Sequence, residues 1–385
     1  MKRVGLLGLT FSNPNKGCMA LAFSFLNILK EVQQSYSDLD IVIFSDMEYE
    51  LTHVRVILQS IRFVFYRFKN PKSIIGMNSE LRKCDLVFDF TEGDSFSDIY
   101  GLKRMVKVSL TKEFILMNNV PLVLCPQTYG PYRSNVSKAL AKNVFRRAKY
   151  ICSRDEKSSK VVYDLNHIMV DTYTDVAFGL PSECKTYIGN SERKKIGINI
   201  SALLWNGGYN GKNQFGLSVD YKMYIEKIIA YLEQCEEYDI YLIPHVYSES
   251  MDEIENDYLA CLQIKDRFTN CSIPKLYDLP MEMKGYISQM DYFLGARMHA
   301  TIAAFSSGVV TIPFSYSRKF EGLYESLEYP FVIHGNSSNT DKAIEDTVRF
   351  IKNESELVNR QLIAMKKVNS KLDEFKKKVT SLIYE

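Results

Sequence analysis

The stretch "YFLGARMHATIAAFSSGVVTIPF", from Tyr292 to Phe314, decides the fold. Its two ends, "YFLGAR" and "VVTIPF", are short apolar runs typical of buried strands. The residues between them favour a buried helix that begins near Ala300. A strand, a helix and a strand in this order predict one parallel βαβ unit. Arg297 and His299 come between the first strand and the helix, so we expect both at the carboxyl edge of a sheet.

Short apolar runs alternate with amphipathic helical patterns through both halves of the chain. In the first half the predicted strands are "RVGLLGLTF", "DIVIFS", "DLVFDF", "PLVLCPQ" and "YICSR". In the second half they are "KIGINI", "IYLIPHV", "YFLGAR", "VVTIPF" and "FVIHG". The alternation predicts an α/β fold in which helices cover mostly parallel sheets, and a length of 385 residues favours two domains.

We place a first Rossmann-like domain at residues 1–180, a second at 190–340, and a helical segment at 341–385 that packs back on the body. The polar, aperiodic stretch "PSECKTYIGNSERKK" is the predicted linker between the two domains. Ligands of open α/β sheets bind beyond the carboxyl ends of the strands. We therefore expect the two domains to face a central cleft lined by polar residues that follow the strands.

Composition excludes several classes of protein. A formal net charge of +2 argues against a nucleic-acid binder. No apolar stretch is long enough to span a bilayer, and Asn13, Pro14 and Gly17 interrupt the N-terminal apolar run too early for a signal peptide. The eight cysteines show no CxxC or zinc-type spacing. We expect reduced thiols in the core, with a catalytic thiol as the alternative, together with no metal site and a cytoplasmic location.

The segment Val54–Met77 is rich in aromatic residues and in lysine and arginine, and it contains no acid. A helix of this composition would suit the anionic inner face of the plasma membrane, as a peripheral contact. The alternative is a helix that packs in the first domain and keeps its arginines in water.

Arg297 and His299 are the strongest candidates for a catalytic role. An arginine beside the first turn of a helix makes an anion site, and a histidine there can serve as a general acid or base. The alternative is an arginine paired with a buried acid such as Asp291, with His299 only capping the helix. Arg154, after "YICS", either pairs with Asp155 or Glu156 or faces the cleft and binds the same anion.

Other polar residues also follow predicted strands, and each has a structural alternative. In the second half they are His245, Tyr316 and Lys319. In the first half they are Asn15, Gly17, Asp94, Gln127 and Tyr129. The acids near these positions lack the spacing of a dedicated metal site. The chain has no GxGxxG, P-loop or GxSxG motif, which disfavours nicotinamide dehydrogenases, P-loop kinases and serine hydrolases.

Several stretches together resemble the polysaccharide pyruvyl transferase family over almost the full length of the chain. They are "NKGCMA", "PLVLCPQTYGPY", "SRDEKSS", "TDVAFGL", "IGINIS", "IPHV" and "GARMHATIAAFSSGVVTIPFSYSRKF". The resemblance implies a fold similar to GT-B type glycosyltransferases. It also implies that Arg297 and His299 match the family's catalytic and donor-binding pair, and that Arg154 matches its donor-binding arginine.

The resemblance further implies a reaction. A pyruvyl group would move from phosphoenolpyruvate, the co-substrate, onto two hydroxyls of a sugar, and phosphate would be released. The acceptor is expected to be a glycan or lipid-linked oligosaccharide of an exopolysaccharide, a capsule or another cell-envelope polymer. We assign His245, Tyr316 and Lys319 to the donor, and Asn15, Gly17, Asp94, Gln127 and Tyr129 to the acceptor. No cofactor is expected to be required.

Two other functions fit the same residues. A nucleotide-sugar-dependent glycosyltransferase would also need a basic site in its second domain, for which Arg297 and Lys319 are suitable. A non-catalytic protein that binds anions or glycans would keep the fold without turnover.

Overall fold

The computed structural model describes residues 1–36, 38–48, 52–58, 61–250 and 252–384. The chain forms two compact units, each assembled from separate stretches of sequence. The first unit comprises Met1–Ser12, Leu21–Val176 and Asn369–Glu385, and the second comprises Asn13–Ala20 and Ala177–Val368.

A parallel sheet forms the centre of the first unit. Its strands are β1 (Lys2–Leu7), β2 (Leu39–Ser45), β3 (Ile61–Phe65), β4 (Leu86–Asp89), β5 (Leu122–Gln127), β6 (Tyr150–Ser153) and β7 (Asp171–Thr172). They lie in the order β3-β2-β1-β4-β5-β6-β7, and each pairs in parallel with its neighbours. The strand order reverses between β1 and β4, which is the switch point where open α/β sheets bind ligands.

Helices connect these strands. They are α1 (Lys16–Ser35), α2 (Thr52–Ile57), α3 (Pro71–Leu81), α4 (Leu102–Met117), α5 (Asn135–Arg147) and α6 (Glu156–Asn166). The first residues of α1 belong to the second unit. The buried apolar side chains of β2 and β4 pack against α3 and α4, with Val42, Phe44 and Val87 meeting Met77 and Met105 in one core.

The second unit has a smaller parallel sheet. Its strands are β8 (Lys194–Asn199), β9 (Tyr238–Leu242), β10 (Tyr292–Gly295), β11 (Val310–Ser315) and β12 (Ile333–His334), in the order β12-β11-β10-β8-β9. The helices are α7 (Ala202–Trp205), α8 (Tyr221–Gln234), α9 (Asp257–Lys265), α10 (Pro280–Ile287), α11 (Met298–Ser306), α12 (Arg318–Ser326), α13 (Thr340–Lys352) and α14 (Glu354–Tyr384). The strand, helix and strand predicted from Tyr292–Phe314 are confirmed as β10, α11 and β11.

The α/β fold with parallel sheets is confirmed, and each of the ten predicted strands is present. The prediction of one helix over Val54–Met77 is wrong, because Ile61–Phe65 forms β3 and pairs with β2. The sequence "IRFVF" is rich in β-branched and aromatic residues, which favour a strand. Arg62 of this strand forms ion pairs with Asp40 and Glu80. Residues 59 and 60, and the side chain of Arg55, lie outside the described residues.

The segment 341–385, predicted to be helical and to pack back on the body, contains most of α13 and the whole of α14. Within α14, the residues up to Val368 belong to the second unit and those from Asn369 to the first. In the second unit, Gln361 donates to the carbonyl oxygen of Val309 at 2.8 Å. In the first unit, Phe375 packs against Tyr173 at 5.2 Å between ring centroids. Among the described residues, no helix is both long and apolar enough to cross a membrane.

Candidate functional site

The carboxyl ends of β8, β9 and β10 meet in the second unit, and one buried amide holds them together. Asn199 is the last residue of β8. Its Nδ2 donates to the carbonyl oxygen of Ile243, just after β9, at 2.9 Å. Its Oδ1 accepts from the backbone N–H of Arg297, just after β10, at 2.8 Å. The amide therefore fixes the backbone from which the predicted catalytic pair projects.

Arg297 precedes α11 and forms an ion pair with Asp257, the first residue of α9. Its Nη2 lies 2.7 Å from Oδ1 of Asp257, and its Nε donates to the same carboxylate at 3.2 Å. The Arg297 side chain is 11% exposed and that of Asp257 is 0% exposed. An arginine–acid pair was one of the two predicted alternatives, but the acid is Asp257. Asp291 accepts instead from the backbone N–H of Lys195 at 2.7 Å.

Asp257 also organises the backbone around the site. Its carboxylate accepts from the N–H groups of Ala202 at 2.9 Å, Val246 at 2.9 Å and His245 at 3.2 Å. Burial acts to lower the pKa of Arg297, but the charge and hydrogen bonds of Asp257 outweigh it and raise that pKa. Arg297 is therefore a charged, rigidly held group.

His299 lies in the first turn of α11, because the helix begins at Met298 and not near Ala300 as predicted. Its ring packs against Gly17. A Cβ placed on Gly17 would lie 2.3 Å from Nδ1 and 2.7 Å from Cγ of His299. Such distances are far below van der Waals contact, so only glycine allows this approach. Asn15 holds the turn before Gly17, because its Oδ1 accepts from the Gly17 N–H at 2.9 Å. Asn15 and Gly17, predicted to bind the acceptor, thus lie beside the predicted catalytic histidine.

Lys16 is a buried cation that sequence analysis did not select. The residue is 7% exposed, and its Nζ lies 4.9 Å from the ring centroid of Tyr247. Its backbone N–H donates to the carbonyl oxygen of His245 at 3.2 Å. Burial lowers the pKa of Lys16, and the charge of Asp278 opposes that shift. An anion that binds beside Lys16 would act against this desolvation, because it stabilises the charged form of the amine.

His245 follows β9 and is buried. Within the part of the chain that the structure describes, its Nδ1 has no hydrogen-bond partner. Burial lowers the pKa of His245 well below its ordinary value, and the nearby charges of His299, Arg297 and Lys16 lower it further. His245 is consequently a neutral imidazole with a buried polar atom available to a ligand.

Tyr316 and Lys319 follow β11 in the same unit and are half-buried. The Tyr316 ring packs against Phe215 at 5.3 Å between centroids. Its phenol contributes to the raised pKa of Arg297.

In the first unit, Arg154 is buried in an ion pair. Its Nη1 lies 2.7 Å from Oδ2 of Asp175, and the two side chains are 1% and 0% exposed. Its Nε donates to Oγ1 of Thr128 at 2.9 Å. An arginine–acid pair was one of the two predicted alternatives for Arg154, with Asp155 or Glu156 as the acid, and the ion pair is with Asp175. Asp155 caps α6. The assignment of Arg154 to the donor stays a prediction.

The acceptor residues predicted in the first unit are also buried. Gln127 donates to the carbonyl oxygen of Asp89 at 3.2 Å. The Tyr129 hydroxyl donates to the carbonyl oxygen of Cys152 at 2.9 Å. Asp94 accepts from the Tyr100 hydroxyl at 3.0 Å. These contacts are with the protein itself, and the acceptor assignment of the three residues stays a prediction.

A sequence model of the polysaccharide pyruvyl transferase family matches residues 15–318. The chain belongs to this family. The matched range contains Lys16, His245, Asp257, Arg297 and His299, so every residue of the cluster described above lies inside it. This pyruvyl transferase is accordingly an enzyme of that type.

Solved structures similar to this pyruvyl transferase share its fold at low sequence identity. The Anabaena protein HepE, solved with UDP and glucose, has 13% identity and a TM-score of 0.59, and the match covers 99% of this chain and 100% of that one. MnaA of S. aureus, solved with UDP, has 11% identity and a TM-score of 0.58, with 94% and 91% covered.

A mutant O-GlcNAc transferase of Thermobaculum terrenum has 10% identity and a TM-score of 0.52. The match covers 99% of this chain but only 66% of that one, slightly less than two thirds of its length. No curated protein matches the chain. The neighbours are glycosyltransferases and UDP-GlcNAc 2-epimerases, so the GT-B-like fold inferred from the resemblance is confirmed.

Sequence analysis of this pyruvyl transferase missed Lys16, Asn199 and Asp257. Each follows or precedes a predicted element, but nothing in "NPNKG", "GINIS" or "IENDY" separates these residues from ordinary caps and turns. The described residues contain no group of three or more metal-ligating side chains, and all eight cysteines are free thiols.

Proposed function

We propose that this pyruvyl transferase takes phosphoenolpyruvate as its donor and forms a pyruvate ketal on two hydroxyls of a sugar. The sugar belongs to a polysaccharide or to its lipid-linked precursor. The observation that carries the proposal is the cluster of Lys16, His245, Arg297 and His299 at the strand ends of the second unit. Phosphoenolpyruvate is a small ligand with a carboxylate and a phosphate, and this cluster offers buried cationic and imidazole groups to both.

Each residue of the cluster has a distinct role in this proposal. Arg297, held by Asp257, donates hydrogen bonds to the donor and to the departing phosphate. Lys16 adds a positive charge that is weakly solvated because it is buried. His299 is the general acid and base, since its imidazole is held against Gly17 at the start of α11. Neutral His245 donates or accepts one further hydrogen bond, and Tyr316 and Lys319 complete the donor side.

The reaction balances without a redox partner. His299 donates a proton to the methylene carbon of phosphoenolpyruvate, and the adjacent carbon becomes electron-poor. An oxygen of one sugar hydroxyl bonds to that carbon, and the carbon–oxygen bond to phosphate breaks with its electron pair. A second hydroxyl oxygen bonds to the same carbon and closes the ketal. One hydroxyl proton replaces the proton taken from His299, and the other leaves on hydrogen phosphate.

A nucleotide-sugar-dependent glycosyltransferase is the second candidate. The observation that favours it is the likeness of fold to proteins solved with UDP. Such an enzyme would use the same basic cluster to bind a diphosphate. The two candidates differ in the donor that they consume and in the group that they transfer.

The test compares the two donors directly. The purified protein is incubated with phosphoenolpyruvate or with a panel of UDP-sugars, in each case with sugar glycosides and lipid-linked oligosaccharides as acceptors. We expect phosphate release from phosphoenolpyruvate and an acceptor that gains the mass of pyruvic acid less one water. UDP release with a gain of one sugar mass less one water would establish the glycosyltransferase instead.

A matched pair of histidine variants identifies the general acid. His299→Ala is expected to lower turnover by about 10²–10⁴-fold. His334→Ala, at an exposed histidine of β12 in the same unit, is expected to leave turnover unchanged. Ligand binding without turnover in the unmodified protein would favour the non-catalytic binder.

The setting of the reaction is also part of the proposal. We place it in the cytoplasm, with peripheral contact at the inner face of the membrane where a lipid-linked acceptor is presented. Sedimentation with anionic and neutral vesicles tests the contact, and equal sedimentation with both would contradict it. Activity with and without a chelator shows whether a divalent cation takes part in the reaction.

A further inference from the structure

A second candidate site lies in the first unit, at the carboxyl ends of its sheet. A cavity of about 390 Å³ is lined by residues that follow β1, β2 and β4 and by one face of α4. The loops after β1 and β4 touch closely there: the N–H of Glu92 donates to the carbonyl oxygen of Gly8 at 2.8 Å. A Cβ on Gly8 would lie 2.3 Å from the backbone nitrogen of Thr91, so glycine is needed for this approach. The cavity therefore lies at the topological switch point between β1 and β4.

A buried polar group faces this cavity. Asp89, the last residue of β4, is 1% exposed, and its Oδ2 accepts from the Thr91 hydroxyl at 2.6 Å. Lys112 of α4, also 1% exposed, lies 3.1 Å from the same oxygen and donates to the Thr91 hydroxyl at 2.6 Å. Among the described residues, the second oxygen, Oδ1, has no hydrogen-bond partner although it is buried. A buried acceptor without a partner is costly unless a ligand or water supplies a donor.

The charges that line the cavity cancel in pairs. Lys112 pairs with Asp89, Arg104 with Glu92, and Lys107 with Asp46. The lining is thus rich in hydrogen-bond donors and acceptors but carries no excess charge of either sign. A neutral ligand with many hydroxyls suits this arrangement better than an anion, which would need unpaired cations, or a cation, which would need unpaired acids.

Apolar side chains form another part of the lining. Phe44 and Tyr66 come from the strand ends, and Val108 comes from α4. The volume is at the lower end of the range of small-molecule sites, so it suits one or two sugar rings. A ring with an apolar face and a hydroxylated edge matches this combination of side chains.

We infer that this cavity binds a neutral monosaccharide unit, with Asp89 accepting from a sugar hydroxyl and Lys112 and Thr91 orienting that carboxylate. The inference rests on the proposed function in one respect: the bound unit is the sugar of the acceptor. Sugar binding itself is measured without phosphoenolpyruvate, so the two proposals fail separately.

Ligand-observed NMR with the full-length protein tests the inference. The probes are the neutral methyl glycosides of glucose, galactose, mannose and N-acetylglucosamine, with glucose 6-phosphate as an anionic probe. We expect saturation transfer to at least one neutral glycoside and weaker binding of the phosphate. If no neutral glycoside binds, or if the phosphate binds best, the inference is overturned.

Two pairs of variants on α4 locate the binding. Val108→Phe fills the cavity and is expected to weaken binding at least tenfold, whereas Val106→Phe, on the same helix but away from the cavity, leaves it unchanged. Lys107→Met removes a charged group from the cavity rim and is expected to weaken binding several-fold, whereas Lys103→Met does not. Lys107 and Lys103 are both exposed, so this second pair does not endanger folding.

The results for glycoside binding and for ketal formation distinguish a failure of this inference from a failure of the proposed function. A folded Val108→Phe variant that binds the glycoside as tightly as the unmodified protein places the sugar elsewhere and overturns the inference. If glycoside binding is lost in Val108→Phe but no ketal forms from phosphoenolpyruvate, the inference stands and the proposed function fails. If ketal forms and Val108→Phe leaves the acceptor KM unchanged, the proposed function stands and the inference fails.

Discussion

Replacing Gly17 with alanine puts a methyl group where the ring of His299 lies. The new carbon would be 2.3 Å from Nδ1 and 2.7 Å from Cγ, whereas non-bonded carbon atoms keep about 3.5–4.0 Å. The imidazole or the start of α1 must therefore move by about 1 Å. Overpacking of this kind costs about 1–3 kcal/mol, of which alanine's better helix propensity returns at most about 1 kcal/mol.

Gly76 offers a matched control, because it also lies within a helix and has nothing within 4 Å of a built Cβ. We expect Gly76→Ala to raise the free energy of unfolding by up to about 1 kcal/mol, measured by urea unfolding. The free energy of unfolding of Gly17→Ala should be about 1–3 kcal/mol lower than that of Gly76→Ala. His299 is the general acid of the proposed reaction, and a displacement of about 1 Å at such a group can cost about 10²-fold. Under that proposal we expect kcat with phosphoenolpyruvate to fall by that order in Gly17→Ala alone.

The His299→Gly background separates the clash from other effects of Gly17→Ala. It removes the contacts of the new methyl group with Nδ1, Cγ and Cβ at 2.3, 2.7 and 2.8 Å, so the loss of stability caused by Gly17→Ala should shrink there. Additive losses in the double variant, or a Gly17→Ala protein as stable and as active as Gly76→Ala, would refute the packing of His299 against Gly17.

Three further predictions concern buried charges. Asp257→Asn leaves Arg297 buried without a counter-charge, and we expect it to lower the free energy of unfolding in urea by about 3 kcal/mol. Burial lowers the pKa of His245 in the folded protein, so below pH 6.5 this side chain takes up a proton in the unfolded chain before it does so in the folded one. The free energy of unfolding of the unmodified protein should therefore fall by up to about 1.4 kcal/mol per pH unit in that range. His245→Asn should lose less stability than the unmodified protein between pH 7 and 5, measured by urea unfolding. Burial lowers the pKa of Lys284 from 10.5 to about 8, so the unfolded chain binds more protons between these values. As the pH rises through that window, the free energy of unfolding of the unmodified protein should therefore increase by about 3 kcal/mol relative to that of Lys284→Met, measured by the same method. If a variant and the unmodified protein show parallel dependences of stability on pH, the corresponding pKa prediction is contradicted.

The strands were predictable because each buried strand is a short apolar run bounded by polar residues. The run Val310–Ser315, for example, follows Gly308 and precedes the polar start of α12. Two strands were not predicted. One is β7, which has only two residues. The other is β3, whose residues Arg62–Phe65 are only partly buried or exposed and carry a charge. An edge strand of this kind lacks the continuous apolar run of a buried parallel strand, and the basic residues around it suggested a surface helix.

The pair Arg297 and His299 was predictable from its place between a strand and a helix. The residues that contact this pair were not predictable, because they are distant from it in sequence. Asp257 lies 40 residues before Arg297 and belongs to a different helix. Gly17 meets His299 only because the segment Asn13–Ala20 joins the second unit, and no local pattern in "NPNKGCMA" indicates with which unit it packs. Contacts of this range depend on the tertiary fold rather than on propensity or period.

The pKa shifts in the second unit indicate how this buried cluster is stable when no ligand is bound. Arg297 keeps its charge because Asp257 compensates it inside the protein. Lys16 and His245 are buried too, and burial lowers the pKa of both, so each gives up its proton more readily than in water. An anion that binds beside them raises both pKa values again, since it stabilises the charged forms. The proposed anionic donor would therefore oppose the effect that burial has on the pKa of both groups.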